Sequence, residues 1–149
     1  MKQVSRRDAM LMGVSAALYL TVSDAAFATR VEAAAEIDKF TGGKEPAQGN
    51  ITIDLPEIAE NGNTIPLNIT IDAPMTAESY VTDVLVVADG NPNPALAKFH
   101  FTPLSGRAVA GTRIRLAGTE NVIIVAKTSD GRLFTDRKQV KVTIGGCGG

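Results

Sequence analysis

The chain has a single cysteine, a single histidine and no tryptophan among its 149 residues. One cysteine cannot form a disulfide within the chain, so the fold lacks the disulfide bonds that usually stabilise small secreted domains. One histidine without neighbouring cysteines gives no spacing typical of a zinc, haem or di-iron site. We therefore expect no metal and no cofactor. Aromatic residues make up only 5%, which disfavours a base-stacking surface for nucleic acid.

The chain also lacks an excess of either charge. Its 15 lysines and arginines nearly balance 16 aspartates and glutamates, which leaves a formal net charge of −1. Nucleic-acid binders usually carry a strongly basic footprint, so we expect no nucleic-acid partner. After the N-terminal stretch, no apolar run approaches the length of a membrane span, and we expect no membrane association.

Residues 1–28 predict a secretory signal peptide. A positive start containing Arg6 and Arg7 precedes an apolar stretch, Ala9–Val22, and then a small-x-small cleavage site, Ala26-Phe27-Ala28. The apolar stretch is shorter than the roughly 20 residues of a membrane span, and the paired arginines are typical of twin-arginine export. The alternative, a retained membrane anchor, is disfavoured by the cleavage site. We expect a periplasmic protein.

Residues 29–40 predict a short helix, because alanine and glutamate have high helix propensity. Thr41-Gly42-Gly43 is expected to end it. The face that it would bury consists of Val31, Ala34, Ala35 and Asp38.

The remainder of residues 29–144 predicts an all-β domain. Short stretches alternate apolar and polar residues with period two and are separated by turn residues. Seven or eight such strands at this spacing predict an immunoglobulin-like β-sandwich, here with a short N-terminal helix and a flexible glycine-rich C-terminal arm. The predicted strands are Ile51–Leu55, Pro66–Asp72, Tyr80–Ala88, Ala97–Thr102, Gly111–Ala117, Asn121–Lys127 and a return that begins at Leu133 and finishes with Gln139–Ile144.

Residues 145–149 form the predicted arm and carry the candidate functional residue, Cys147. The four glycines around it, expected to make the arm flexible, are Gly145, Gly146, Gly148 and Gly149. From the last strand, the sulfur could reach on the order of 10 Å. An ordinary cysteine has a pKa of about 8.5 and is mostly protonated near neutral pH, so this thiol suits delivery to another protein's catalytic site better than catalysis. We expect no catalytic residue in the chain and assign Cys147 to covalent substrate attachment.

Other interpretations stay open at this point. Cys147 could link a structural sandwich module to a partner through an intermolecular disulfide, serve as the nucleophile of a thiol enzyme, or be incidental. His100 is expected on the surface or at an interface. Arg113 and Arg115 share one strand face, which is either solvated or in contact with a partner or anionic sulfur species. The turns at residues 60–62 and 91–94 could dock partners.

The C-terminal stretch Val140–Gly149, V-K-V-T-I-G-G-C-G-G, resembles the SoxY family, the sulfur-carrier subunits of bacterial thiosulfate oxidation. The resemblance extends over essentially the whole chain. The other stretches that carry it are Ala59-Glu60-Asn61-Gly62 with Pro66, Pro74-Met75-Thr76, Asn91-Pro92-Asn93-Pro94 and Thr112-Arg113-Ile114-Arg115.

The resemblance implies a carrier that is not itself an enzyme and that holds sulfur intermediates on Cys147. It implies a heterodimer with a SoxZ-like subunit, a second sandwich protein. The partner enzymes would be a haem-containing coupling enzyme, a manganese-dependent hydrolase that releases sulfate, and a sulfane dehydrogenase.

Overall fold

Strands dominate the computed structural model, which describes residues 29–146. In this part, residues 29–41 are helical (α1) and a 3₁₀ turn occupies Pro103–Ser105. The strands are β1 Ala47–Gln48, β2 Ile51–Asp54, β3 Ile58–Asn61, β4 Ile65–Ile71, β5 Val81–Ala88, β6 Ala95–His100, β7 Ala108–Ile114, β8 Glu120–Thr128 and β9 Leu133–Ile144. The predicted signal peptide at residues 1–28, and Cys147, Gly148 and Gly149, lie outside the described residues.

The strands form two sheets that enclose one apolar core. The larger sheet has the order β1-β9-β8-β5-β6, with β3 also paired to β9, and the smaller sheet has the order β2-β4-β7. β1 and β3 run parallel to β9, whereas the other pairs are antiparallel. The predicted all-β sandwich of immunoglobulin-like organisation with one short helix is confirmed.

Strand β5 is buried on both of its faces, which explains its nearly continuous apolar sequence. Val84 and Val86 point into the core between the sheets, while Leu85 and Val87 pack against α1. The helix therefore covers the outer face of the larger sheet at its centre. The sequence-based placement of Tyr80–Ala88 as a central strand is confirmed.

The helix buries a different face from the predicted one. Ala33, Ile37 and Phe40 contact β5, and their i, i+4, i+7 spacing brings the two large apolar residues of the helix together. The predicted face was wrong because it offers only one large apolar side chain, which is left exposed. The residues of that face, all exposed, are Val31, Ala34, Ala35 and Asp38.

The largest differences from the predicted strands are at β3, β9 and β7; β1 was not predicted either, and the ends of the other strands shift by one or two residues. β3 was not predicted, since three of its four residues are exposed and its second half, Glu60-Asn61, was taken as part of a turn. β9 is one strand of 12 residues rather than two pieces, because its polar middle lies towards the edge of the sheet and remains solvated. β7 begins at Ala108, three residues before the predicted Gly111, and ends at Ile114.

The β8–β9 hairpin turns at the predicted Asp-Gly sequence, with Gly131 at a φ of 84°. Asp130 organises the turn: its carboxylate accepts hydrogen bonds from the Thr128 hydroxyl, from Arg132 Nε at 2.8 Å and from Ser79 Oγ at 3.2 Å. The Thr128 hydroxyl is the main reason that the pKa of Asp130 falls to about 2, with Arg132 and Ser79 adding to the effect.

We expect Asp130→Asn to destabilise the protein at neutral pH and to matter less in acid. The pKa of Asp130 is lower in the folded chain than the value of about 3.9 for an unperturbed aspartate, so its ionised form favours folding. This contribution is complete above the unfolded pKa and is lost as the pH falls towards about 2. Thermal melts of both proteins across this range check it; a gap in melting temperature that stays constant would contradict the assignment.

Candidate functional site

Strand β9 leads directly to the candidate attachment residue, Cys147. Its pairing with β8 ends at Val140, but pairing with β3 continues through Ile144. Beyond the end of its pairing with β8, β9 is contacted on that side by Thr119, whose hydroxyl accepts a hydrogen bond from the Val142 N–H at 3.0 Å. The chain is thus held on both sides as it approaches the C-terminal glycines.

Two further segments hold the residues that follow β9. The Gly62 N–H donates to the Ile144 carbonyl at 2.8 Å, and the Gly62 carbonyl accepts from the Leu116 N–H at 2.9 Å. The Leu116 carbonyl in turn accepts from the Gly146 N–H at 2.9 Å. We call this meeting of three segments the arm root; its residues are Gly62, Leu116, Ala117, Gly145 and Gly146.

The arm root requires glycine because the backbones approach too closely for a side chain. A Cβ on Gly145 would lie 2.2 Å from the Ala117 carbonyl oxygen, and one on Gly62 would lie 2.3 Å from the Leu116 carbonyl oxygen. A Cβ on Gly146 would lie 2.8 Å from the Gly62 carbonyl oxygen. These contacts are with backbone atoms, which cannot rotate away as the end of a side chain can.

The first two glycines of the predicted arm therefore differ from their expected role. The sequence predicts a flexible arm from residue 145 onward, whereas the structure packs Gly145 and Gly146 against neighbouring backbone. Their missing side chains serve close approach, which glycine permits as readily as flexibility. Cys147 is covalently attached to Gly146 and follows the arm root at once, and its own placement lies outside the described residues.

His100 lies at the opposite end of the larger sheet from the arm root. It pairs across the strands with Asp83 near the start of β5, and its Nδ1 lies 2.6 Å from Asp83 Oδ1. Its side chain is 69% exposed, in keeping with the predicted surface position. The arm root adjoins the other end of β5, and the five residue steps from Asp83 to Ala88 alone span about 17 Å. The geometry does not bring His100 to the C-terminal segment as a base.

Arg113 and Arg115 lie on the outer face of their segment, because the alternate residues Ile114 and Leu116 are buried. Arg113 Nη1 donates to Thr64 Oγ1 at 3.4 Å. Both arginines are exposed and line a shallow groove between β6 and the end of β7. Arg115 directly precedes Leu116, so the exposed pair brings positive charge close to the arm root.

The sequence places two residues of the site only in turns that could dock partners. Gly62 follows the Asn61 side chain, whose Oδ1 accepts from the Asn63 N–H at 2.9 Å in an Asx turn, yet Gly62 itself belongs to the arm root. Asn91 lies in a proline-flanked loop but is fully buried. Neither role has a local sequence signal, because each depends on segments distant along the chain.

No group of three or more potential metal ligands occurs among residues 29–146. In the same range, no helix has both the length and the apolar character that crossing a membrane demands. What the described residues do provide is a backbone held by hydrogen bonds up to Gly146, immediately before the only cysteine of the chain.

Known structures share the fold. The sulfur carrier protein SoxY from Chlorobium limicola f thiosulfatophilum is 29% identical, with a TM-score of 0.63 over 78% of this chain and 99% of that chain. A superoxide reductase (neelaredoxin) from Ignicoccus hospitalis is 18% identical, with a TM-score of 0.56 over 63% of this chain and 80% of that chain. At that identity, the likeness to the reductase shows the fold alone.

A family model described as "Sulfur oxidation protein SoxY" matches residues 37–147, a range that ends on the candidate attachment cysteine. No curated protein matches the chain. The matched range takes in every strand, the arm root and Cys147, and it exceeds half of the 149 residues. The chain therefore belongs to the SoxY family of sulfur oxidation proteins.

Proposed function

We propose that this protein carries sulfur intermediates covalently on Cys147 and presents them to partner enzymes in the periplasm. Membership of the SoxY family supports a sulfur-carrier role in sulfur oxidation. The observation that carries the assignment to Cys147 is that the family match runs to this residue, the sole thiol of the chain. The arm root supports it further, because its hydrogen bonds hold the backbone up to Gly146, the residue that precedes this cysteine.

The proposed cycle begins with the Cys147 thiolate and thiosulfate. A sulfur–sulfur bond forms between the two, giving a cysteine S-thiosulfonate, and the two electrons released pass to a haem-containing coupling enzyme. Water then cleaves the terminal sulfone: a manganese-dependent hydrolase releases sulfate and two protons and leaves a persulfide on Cys147. Where a sulfane dehydrogenase is present, it removes six electrons as three waters supply oxygen, and the persulfide sulfur becomes a second sulfone.

The chain's own contribution is attachment and presentation rather than catalysis. A thiol becomes a nucleophile as its thiolate, and enzymes usually generate this form with an adjacent base or cation. His100 is held at the far end of the sheet, beside Asp83. Ionisation of Cys147 and withdrawal of electrons are therefore assigned to the partner enzymes.

The proposal includes export and a stable partner. The twin-arginine-type signal at residues 1–28 would deliver the protein to the periplasm, and N-terminal sequencing should find a mature chain beginning at Thr29. A SoxZ-like subunit would complete a heterodimer. A route for folded proteins suits this arrangement, since a partner lacking its own signal could cross while bound.

The mass of the intact protein tests the carrier function. Protein purified without reductant from cells oxidising thiosulfate should include species heavier by sulfur and sulfonate groups. The same cells grown without thiosulfate supply the control. A Cys147 found only in disulfide-linked dimers would instead favour the structural module, and an unmodified thiol in both cultures would contradict the carrier.

We expect the protein in native extracts to be a heterodimer with a smaller sandwich protein. Membership of the SoxY family is the reason to expect a partner subunit, and large apolar side chains exposed on the described residues are candidates for the surface that it would cover. They are Val31, Ile58, Leu104, Val109 and Ile144. Size-exclusion chromatography of native extract measures this, and elution as a stable monomer would contradict the partner assignment.

A further inference from the structure

We propose that Asn91 is a positioning residue for the carrier: through residues 115–117 it fixes the point from which Cys147 is tethered. The inference rests on the proposed attachment of sulfur at Cys147. It concerns the loop at residues 91–94, for which the sequence suggests only a turn or a docking surface.

The Asn91 side chain acts as a clip on the backbone of a neighbouring segment. It is 0% exposed; its Nδ2 donates to the Arg115 carbonyl at 2.8 Å, and its Oδ1 accepts from the Ala117 N–H at 2.7 Å. One amide therefore satisfies a carbonyl and an N–H two residues apart, as a neighbouring strand would. Removing it would take this partner from both backbone groups, which costs stability to the extent that water does not replace it.

Leu116 lies between these two hydrogen bonds, and it connects the other segments of the arm root. Leu116 donates its N–H to Gly62 and accepts the Gly146 N–H, each at 2.9 Å. Its side chain is fully buried in the core. Asn91 thus fixes both flanks of Leu116 and, through it, the last described residue before Cys147.

Asn91 is itself supported on a fixed loop. The Asp89 carboxylate accepts from the Asn121 N–H at 2.9 Å and from Asn121 Nδ2 at 2.8 Å. The Gly90 N–H donates to Glu120 Oε2 at 2.7 Å, and a Cβ on Gly90 would lie 2.9 Å from that of Glu120. The chain from β5 to the clip is therefore held by the start of β8.

A fixed root changes how far the thiol can travel. If the arm were free from residue 145, two more residues of tether would add about 7 Å of reach. A shorter tether confines the thiol to a smaller volume and raises its effective concentration at a docked enzyme. It also leaves fewer torsions to be fixed when the arm enters a catalytic cleft. The arm root therefore serves to position the thiol accurately at a docked enzyme rather than to extend the distance that it can reach.

The single cysteine allows a direct test on the full mature chain. A nitroxide label attached to Cys147 reports local mobility by electron paramagnetic resonance without any sulfur chemistry. We expect a slow component in the native protein and a several-fold faster rotation in Asn91→Ala. Gly145→Ala, which disturbs the root through a different residue, should have the same effect. Gly118→Ala is the matched control, because a Cβ there meets nothing within 4 Å.

A parallel assay ties mobility to function. In both root variants, alkylation of Cys147 by a small reagent should keep its native rate, while turnover by the partner enzymes falls several-fold. If the label rotates equally fast in the native protein and in Asn91→Ala, Asn91 does not position Cys147 and the inference fails, whatever Gly145→Ala shows. If Asn91→Ala does not fold, Asn91→Asp decides, because it keeps the acceptor for the Ala117 N–H and loses the donor to the Arg115 carbonyl. If the label rotates slowly in the native protein but Cys147 never acquires sulfur, the proposed function is wrong, while the positioning of Cys147 by the arm root is retained.

Discussion

Replacing Cys147 by serine is expected to abolish thiosulfate-dependent turnover while leaving the fold intact. The serine hydroxyl ionises far less readily than a thiol and cannot form the sulfur–sulfur bond that holds the intermediate. Among the described residues, the sandwich core lies between residues 51 and 142, ahead of Cys147 in the chain, and serine is close to cysteine in size. Stability should change by less than about 0.5 kcal/mol, as for most surface substitutions. Turnover with the complete enzyme system and thermal melts measure the two effects.

A displaced thiol supplies the control for this variant. Thr143→Cys, made in the Cys147→Ser background, places a thiol on an exposed position of β9, ahead of the arm root. A small alkylating reagent should label it, but turnover should remain absent. Recovery of turnover would show that any exposed thiol suffices, which would contradict presentation from the C-terminal segment.

Gly62→Ala is expected to cost about 1–3 kcal/mol of stability, the usual range for inserting a methyl group into packed structure. The new Cβ would lie 2.3 Å from the Leu116 carbonyl oxygen and 2.6 Å from the Gly146 nitrogen, so backbone must move. These two atoms are joined by the hydrogen bond that holds Gly146. Chemical denaturation should therefore show a lower midpoint, and proteolysis near the C-terminus should become faster.

Gly118→Ala is again the matched comparison. Neither Gly62 nor Gly118 has a positive φ, so steric contact is the main difference between the two substitutions. Gly118→Ala should be neutral or stabilise by up to about 1 kcal/mol, because alanine restricts the unfolded chain. Equal effects of the two substitutions would contradict the packed arm root.

The sandwich could be predicted because its signals are local. The apolar run of β5 and the Asp-Gly turn before β9 each identify their element within a few residues. β3 escaped prediction because its four residues are mostly exposed and are held by pairing with β9, a partner far along the chain. The helix face was predicted wrongly because alanines are too small to fix an apolar stripe, whereas Ile37 and Phe40 decide the packing.

In the candidate site, too, the features with a local sequence signal could be predicted and those that depend on distant segments could not. A lone cysteine among glycines is conspicuous in the sequence, and the family match includes it. That Gly145 and Gly146 are packed could not be predicted, because flexibility and close approach both call for glycine. The distinction depends on the Leu116 and Ala117 carbonyls, and the clip formed by Asn91 depends on a loop more than 20 residues before them.

The most direct test of the carrier assignment is the mass of the peptide that contains Cys147. Trypsin cleaves after Lys141 and releases a peptide that begins at Val142, so fragmentation can locate an adduct on the cysteine itself. After incubation with thiosulfate and the coupling enzyme, this peptide should carry one thiosulfonate group, –S–SO₃⁻, on the Cys147 sulfur, and a thiol reductant should remove it. An unmodified peptide, or one found only in disulfide linkage to another chain, would contradict the account.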